Sequence, residues 1–222
     1  MGTRVVGLTG PIGCGKSTIA KSLSQRLQFS KVVSFADGLR QVLAHVYGLP
    51  EEMWKDPTFK VTPQERLGGA TPRKAMQVIA TEGFRAVYPD TWVDFMERRI
   101  KQLARDVPGC VIIIDDVRFV NEANMIRSLD GELIYIESKA PSDEVTNVPV
   151  TRLYRLLQTL KLRKKPAVHE SEANFKTLRK MADYVVRNNW RVDLPYNDNL
   201  PEAMQSYLAD RTNDLLEFLF EH

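Results

Sequence analysis

Apolar residues fall along this chain in two alternating patterns: short continuous runs closed by turn residues, and longer stretches in which they recur every three or four positions. The runs predict strands over 5–9, 32–35, 111–114, 133–137 and 184–187. The spaced stretches predict helices over 17–27, 39–47, 73–87, 91–106 and 121–129. Such alternation predicts a parallel five-stranded sheet flanked by helices, an α/β fold. A last helix over 201–220 opens with Pro201 and Glu202 and lines up Met204, Leu208, Leu215 and Leu219 on roughly one stripe, as a cover helix does. Residues 51–70 are rich in Pro, Gly and charge without clear period, and they read as a loop or mobile excursion.

With 222 residues the chain suits one α/β domain with a sizeable core, 1–222. Lys and Arg number 31 against 28 Asp and Glu, an excess too small for a protein that coats nucleic acid or clings to membranes through basic charge. No apolar run approaches the ~20 residues of a membrane span. A soluble protein with no nucleic-acid or membrane partner is the expectation. Two cysteines without metal-ligand spacing, and three scattered histidines, suggest a reducing cytoplasm and no zinc site.

The stretch GPIGCGKST adds chemistry. Gly10, four residues, then Gly15-Lys16-Ser17 stands between a predicted strand and a predicted helix, the context a phosphate-binding loop requires. Glycines let successive N–H groups turn inward around phosphate oxygens, and the new helix adds its positive end. Gly10, Ile12, Gly13, Cys14, Gly15, Lys16, Ser17 and Thr18 are thus candidates to hold ATP. Lys16 would reach the β- and γ-phosphates, and Ser17 would ligate Mg2+. The loop alone leaves a GTPase, a motor, a regulator and a small-molecule kinase open.

The run CVIIIDDVRFVNE narrows the choice. Asp115 and Asp116 end a buried strand, at the sheet edge where such folds bind ligands. One of them would approach the metal, Asp115 being the candidate beside Ser17, and Asp116 is a candidate catalytic acid. Side-chain direction at the strand end decides between them. Arg118 and Glu122 follow, and a guanidinium there suits a second phosphate, although a surface ion pair between the two is the plainer alternative. Asp37, Arg40, Arg73, Gln77, Arg85 and Trp92 could hold a base and its phosphate, or Trp92 could belong to the core and Arg85 to the surface. Between residues 151 and 168 stand six bases and no acid, including Arg152 and Arg155, a composition suited to a lid that neutralises a transferring phosphoryl group.

Together, GPIGCGKST, SFADGLR, TPRKAMQ with TEGFR and DTWV, IDDVRFVNEA, and HESE with ADYVVRNN resemble the deoxynucleoside monophosphate kinases of tailed bacteriophages, a family of the P-loop kinase fold. The resemblance spans nearly the whole chain. It implies transfer of the γ-phosphoryl of ATP to a deoxynucleoside monophosphate, in the cytoplasm (the host's, if phage-encoded), and a possible homodimer. It also implies a helical acceptor-binding region over 48–108 and a basic lid over 150–172. On this resemblance Lys16, Asp116, Arg118, Glu122, Arg152 and Arg155 are catalytic, Asp37, Arg40, Arg73, Gln77, Trp92 and Arg118 meet the monophosphate, and Asn188 and Asn189 lie near the adenine. Gly38 and Ala80 depart from the family pattern, in proline and glycine respectively, beside the acceptor pocket. A P-loop kinase of another phosphorylated molecule, such as phosphomevalonate or dephospho-coenzyme A, is the nearest alternative. An ATP-dependent switch is the more distant one.

Overall fold

A computed structural model describes residues 2–138, 174–188 and 202–221. Five strands form one parallel sheet: β1 (Arg4–Thr9), β2 (Ser30–Val33), β3 (Val111–Val117), β4 (Glu132–Ser138) and β5 (Tyr184–Asn188), in the spatial order β2-β3-β1-β4-β5. The strands are apolar on both sides because both faces are covered. One face carries Val6, Leu8, Ile113, Ile134 and Ile136 against α1 (Lys16–Arg26) and the C-terminal α8 (Glu202–Glu221), whose Leu208, Leu215 and Leu219 are buried as the stripe predicts. The other carries Val5, Ile112, Ile114 and Leu133 against α2 (Ala36–Tyr47), α5 (Thr91–Asp106), α6 (Val120–Ser128) and α7 (Phe175–Met181). This is an α/β fold, a parallel five-stranded sheet flanked by helices on both faces. Among the described residues no helix is long and apolar enough to cross a membrane.

Three expectations need correction. The stretch 51–70 holds secondary structure that its composition does not signal: 3-10 turns at Glu51–Lys55 and Glu65–Leu67 flank a short α3 (Pro57–Val61). Its anchor is Trp54, fully buried between Tyr47 and Phe59, with ring centroids at 6.0 and 5.8 Å. The helix expected over 73–87 is α only through α4 (Pro72–Gln77) and then widens to a π-helix at Val78–Arg85. A donor enters the ladder there, since Trp92 Nε1 donates to the Ala80 carbonyl at 3.3 Å. Finally, β2 stops at Val33 and α2 starts at Ala36, earlier than the periodicity indicates, because the Asp116 carboxylate captures the backbone between them.

Strand direction decides where function falls. β1, β2, β3 and β5 all deliver their C-terminal ends to one edge, bringing the glycine loop, Ser34–Asp37, Asp115–Asp116 and Asn188 together. The β1–β3 register slips there, from Gly7 opposite Ile114 to Thr9 opposite Val117, so β3 holds one extra residue. That bulge re-aims the two aspartates.

Candidate active site

The glycine loop closes through backbone conformations that side chains disfavour. Gly10 has φ 142° and Gly15 has φ 92°. A Cβ at Gly10 would lie 2.4 Å from the Ile136 carbonyl oxygen, and one at Gly15 would lie 2.5 Å from Asn188 Nδ2. Lys16, at the first turn of α1, donates from Nζ to the carbonyls of Gly10 (2.7 Å) and Pro11 (2.8 Å), so the amine lies over the loop. Ile12 is half exposed at the tip, Gly13 adopts φ 76°, and Thr18 follows Ser17 on the helix. Cys14 is buried, its thiol pushed up in pKa by burial against the pull of Lys16.

The bulge separates the aspartates. Asp115 Oδ2 accepts from Ser17 Oγ at 2.8 Å, which joins the helix start to β3. Burial, and then the charge of Asp116, push its carboxyl up to about 6, while Ser17 pulls it down. Hard oxygen donors with surplus negative charge at a phosphate loop fit a divalent cation such as Mg2+. Asp116 instead accepts from Ser34 Oγ, from the Phe35 N–H (2.7 Å) and from the Ala36 N–H (3.1 Å). The expected catalytic carboxylate of Asp116 is therefore engaged in holding the start of α2, and Asp115 is the acid that faces the loop.

That anchored turn presents Asp37 and Arg40. Arg40 is buried, bonds Asp37 Oδ1 at 2.5 Å, and leaves its Nε without a partner. A buried guanidinium with an unmatched N–H is poised for an anion. Gly38 lies between them because α2 crosses α5 here; a Cβ would meet the Phe95 ring at 2.9 Å. Lys60 of α3, absent from the sequence expectations, joins the group. Burial lowers its pKa first, the charges of Arg40, Arg73 and Arg118 lower it further, and Asp115 acts the other way. Four cations thus share one field beside Asp115. The overlooked signal was Asp56-Pro57: Asp56 Oδ1 accepts from the Phe59 N–H at 2.6 Å, and Pro57 opens the turn that carries Lys60. Gln77 closes α4, the same helix that exposes Arg73.

Four expected residues lie elsewhere or act otherwise. Glu122, expected to be catalytic, is buried; its Oε2 accepts from the Arg118 N–H (2.7 Å) and the Phe119 N–H (3.0 Å), and its Oε1 pairs with Arg85. Burial pushes its carboxyl up to about 7, opposed chiefly by Arg85. Arg85 is engaged within the protein: it bonds Glu122 and the Pro89 carbonyl (3.0 Å) and lies over the Phe119 ring at 3.8 Å. Trp92 belongs to the core, edge-on to Phe84 at 5.0 Å, so its ring is not a free platform. Asn188 is buried and donates from Nδ2 to the Cys14 carbonyl at 2.8 Å, bracing the glycine loop. Arg152, Arg155, Asn189 and the region 150–172 lie outside the described residues.

Sheet and loop together define a P-loop nucleotide-binding protein. The chain belongs to the ATPase family associated with various cellular activities (AAA), within the P-loop NTPases, whose family model matches residues 6–169. A protein of Acanthamoeba polyphaga mimivirus described as "Putative deoxynucleotide monophosphate kinase" is 33% identical over 152 residues, which cover 64% of this chain and 78% of that one. Among solved structures, the shikimate kinase of Bacteroides thetaiotaomicron aligns with TM-score 0.46 at 15% identity, covering 97% of this chain and 98% of its own. The dephospho-CoA kinase of Campylobacter jejuni aligns with TM-score 0.47 at 17% identity, covering 99% and 98%.

Proposed function

We propose that this protein transfers the γ-phosphoryl group of ATP to a deoxynucleoside monophosphate, giving the diphosphate and ADP. The observation that carries this reading is a second group of cations: buried Arg40 has an unpartnered Nε, and its charge acts on Lys60 together with those of Arg73, Arg118 and Asp115, the acid bonded to Ser17. One phosphate site serves a hydrolase or switch, while a second serves an enzyme whose acceptor itself carries phosphate. The named activity of the viral relative supports the choice of acceptor.

Bound Mg-ATP would supply the transferable group and a divalent charge that offsets the negative charge of its phosphates. Loop N–H groups and Lys16 hold the triphosphate, and Ser17 with Asp115 would hold the metal. Arg40, Lys60, Arg73 and Arg118 orient the acceptor phosphate and offset charge repulsion as its oxygen approaches in line. Gln77, at the end of α4, would meet the base, and Arg152 and Arg155 would offset charge on the transferring phosphoryl group. Chain residues 1–222 act as one unit in this scheme, with 48–108 as the acceptor side, and a homodimer is its expected assembly.

A second reading keeps the reaction and changes the acceptor, because a guanidinium cluster recognises phosphate whatever carries it. ADP release from Mg-ATP separates the two. It is measured without acceptor, with each deoxynucleoside and ribonucleoside monophosphate, and with dephospho-coenzyme A and phosphomevalonate. Stimulation by one or more deoxynucleoside monophosphates supports the proposal. Stimulation only by another phosphorylated molecule rejects the acceptor and keeps the kinase, and no stimulation by any of them rejects both.

A further inference from the structure

The buried pair of Arg85 and Glu122 ties the end of the π-helix at Val78–Arg85 to the start of α6. Its geometry has a direction. Arg85 ends the π-helix that follows α4 and lies flat on Phe119 at 3.8 Å, with its second nitrogen on the Pro89 carbonyl. From Glu122 the other carboxylate oxygen binds two successive N–H groups, those of Arg118 at 2.7 Å and Phe119 at 3.0 Å. Asn121 adds a stitch in the same place, donating to Asp90 Oδ1 at 2.7 Å, across the turn that joins the π-helix to α5. A helix start needs only one such acceptor at its third residue to satisfy its cap. Here the carboxylate reaches one residue further back, to the backbone of the arginine itself.

We infer that Arg85 and Glu122 form a positioning device that fixes the Arg118 backbone relative to the acceptor-binding helix, so that Arg85 acts on phosphoryl transfer through Arg118. The physical basis is that both charges are withdrawn from water, and a buried pair of this kind holds its geometry because breaking it leaves an unmatched charge. The π-helix provides the reach: its wider turn brings Arg85 onto Phe119. Acceptor helix and β3–α6 junction then move as one piece, and the distance between the Arg73 side and Arg118 is held. The inference rests on the proposed role of Arg118 at the acceptor phosphate, and its test separates the two.

The first arm uses no substrate. Hydrogen exchange is followed in the wild type and in Arg85→Met, with global stability measured by urea unfolding. Selective acceleration at the Arg118 and Phe119 amides, about tenfold or more beyond the change at β1 and β4 amides, is the expected result. Exchange there that rises only in step with the sheet overturns the inference. The second arm is a double-mutant cycle of Arg85→Met and Arg118→Ala on kcat and KM, with the deoxynucleoside monophosphate of highest turnover as acceptor. Arg85→Met should lower kcat/KM for the acceptor about tenfold while leaving KM for ATP unchanged, and should add no further loss in the Arg118→Ala background. Multiplying losses would overturn action through Arg118. If Arg118→Ala alone changes nothing, the role of Arg118 fails, and the exchange arm still decides whether the pair holds its backbone.

Discussion

The brace behind the glycine loop makes a quantitative prediction. Replacing Gly15 by Ala imposes a side chain on a residue at φ 92°, a left-handed conformation that costs about 1–2 kcal/mol. It also places a Cβ 2.5 Å from Asn188 Nδ2, a distance that real contacts do not tolerate. Asn188 must then withdraw from the Cys14 carbonyl, which it meets at 2.8 Å in a buried setting, and losing that bond costs about 1–3 kcal/mol. Gly15→Ala should therefore destabilise the protein by about 2–5 kcal/mol, and Asn188→Ala by about 1–3 kcal/mol. In the double variant the clash has gone and only backbone strain remains. Gly15→Ala then costs about 1–2 kcal/mol, so the double variant lies well above the sum of the singles. Urea unfolding of the four proteins, with midpoints and slopes compared, reads the coupling directly. Additive losses would show that Asn188 and Gly15 do not meet and that the loop is braced by something else.

Four further expectations concern named groups. Glu122 binds its proton more tightly folded than unfolded, its pKa rising from 4.5 to about 7, so its contribution to stability is lost as pH rises through that window. The stability of Glu122→Gln relative to wild type should thus increase between pH 5 and pH 8 in urea unfolding, and a relative decrease would reverse the sign of the argument. Lys60→Met should raise KM for the acceptor roughly tenfold and leave KM for ATP unchanged in steady-state assays; a change confined to ATP would move Lys60 out of the acceptor group. Asp115→Asn should cut Mg2+-dependent turnover by about 10²–10³ with little loss of stability. Asp116→Asn should mainly lower the unfolding midpoint, since its two oxygens together accept from Ser34, Phe35 and Ala36 and the amide keeps only one of them as an acceptor.

Periodicity made the sheet and its flanking helices legible because each strand is a run of apolar residues between turn signals, and burial on both faces keeps those runs continuous. The glycine loop was legible for a different reason: its chemistry is carried by backbone and by spacing. What eluded sequence reasoning depends on long-range partners. Nothing local tells that Asp116 turns toward β2 while Asp115 turns toward Ser17, since a register slip between β1 and β3 makes that choice. Glu122 and Arg85 read as site charges because residue type does not reveal that they meet across 37 positions and are both buried. Trp54 looked like part of an irregular charged stretch, yet one buried indole is enough to fold that stretch and deliver Lys60.

The most direct measurement is 31P NMR of purified protein with Mg-ATP and the deoxynucleoside monophosphates, followed in one tube as the γ-phosphate resonance falls. Transfer predicts that a deoxynucleoside diphosphate signal rises in step with ADP while inorganic phosphate stays at its background level. Loss of the γ-phosphate into inorganic phosphate alone, at a rate indifferent to the monophosphates, would contradict it and leave a nucleotide hydrolase or switch in its place.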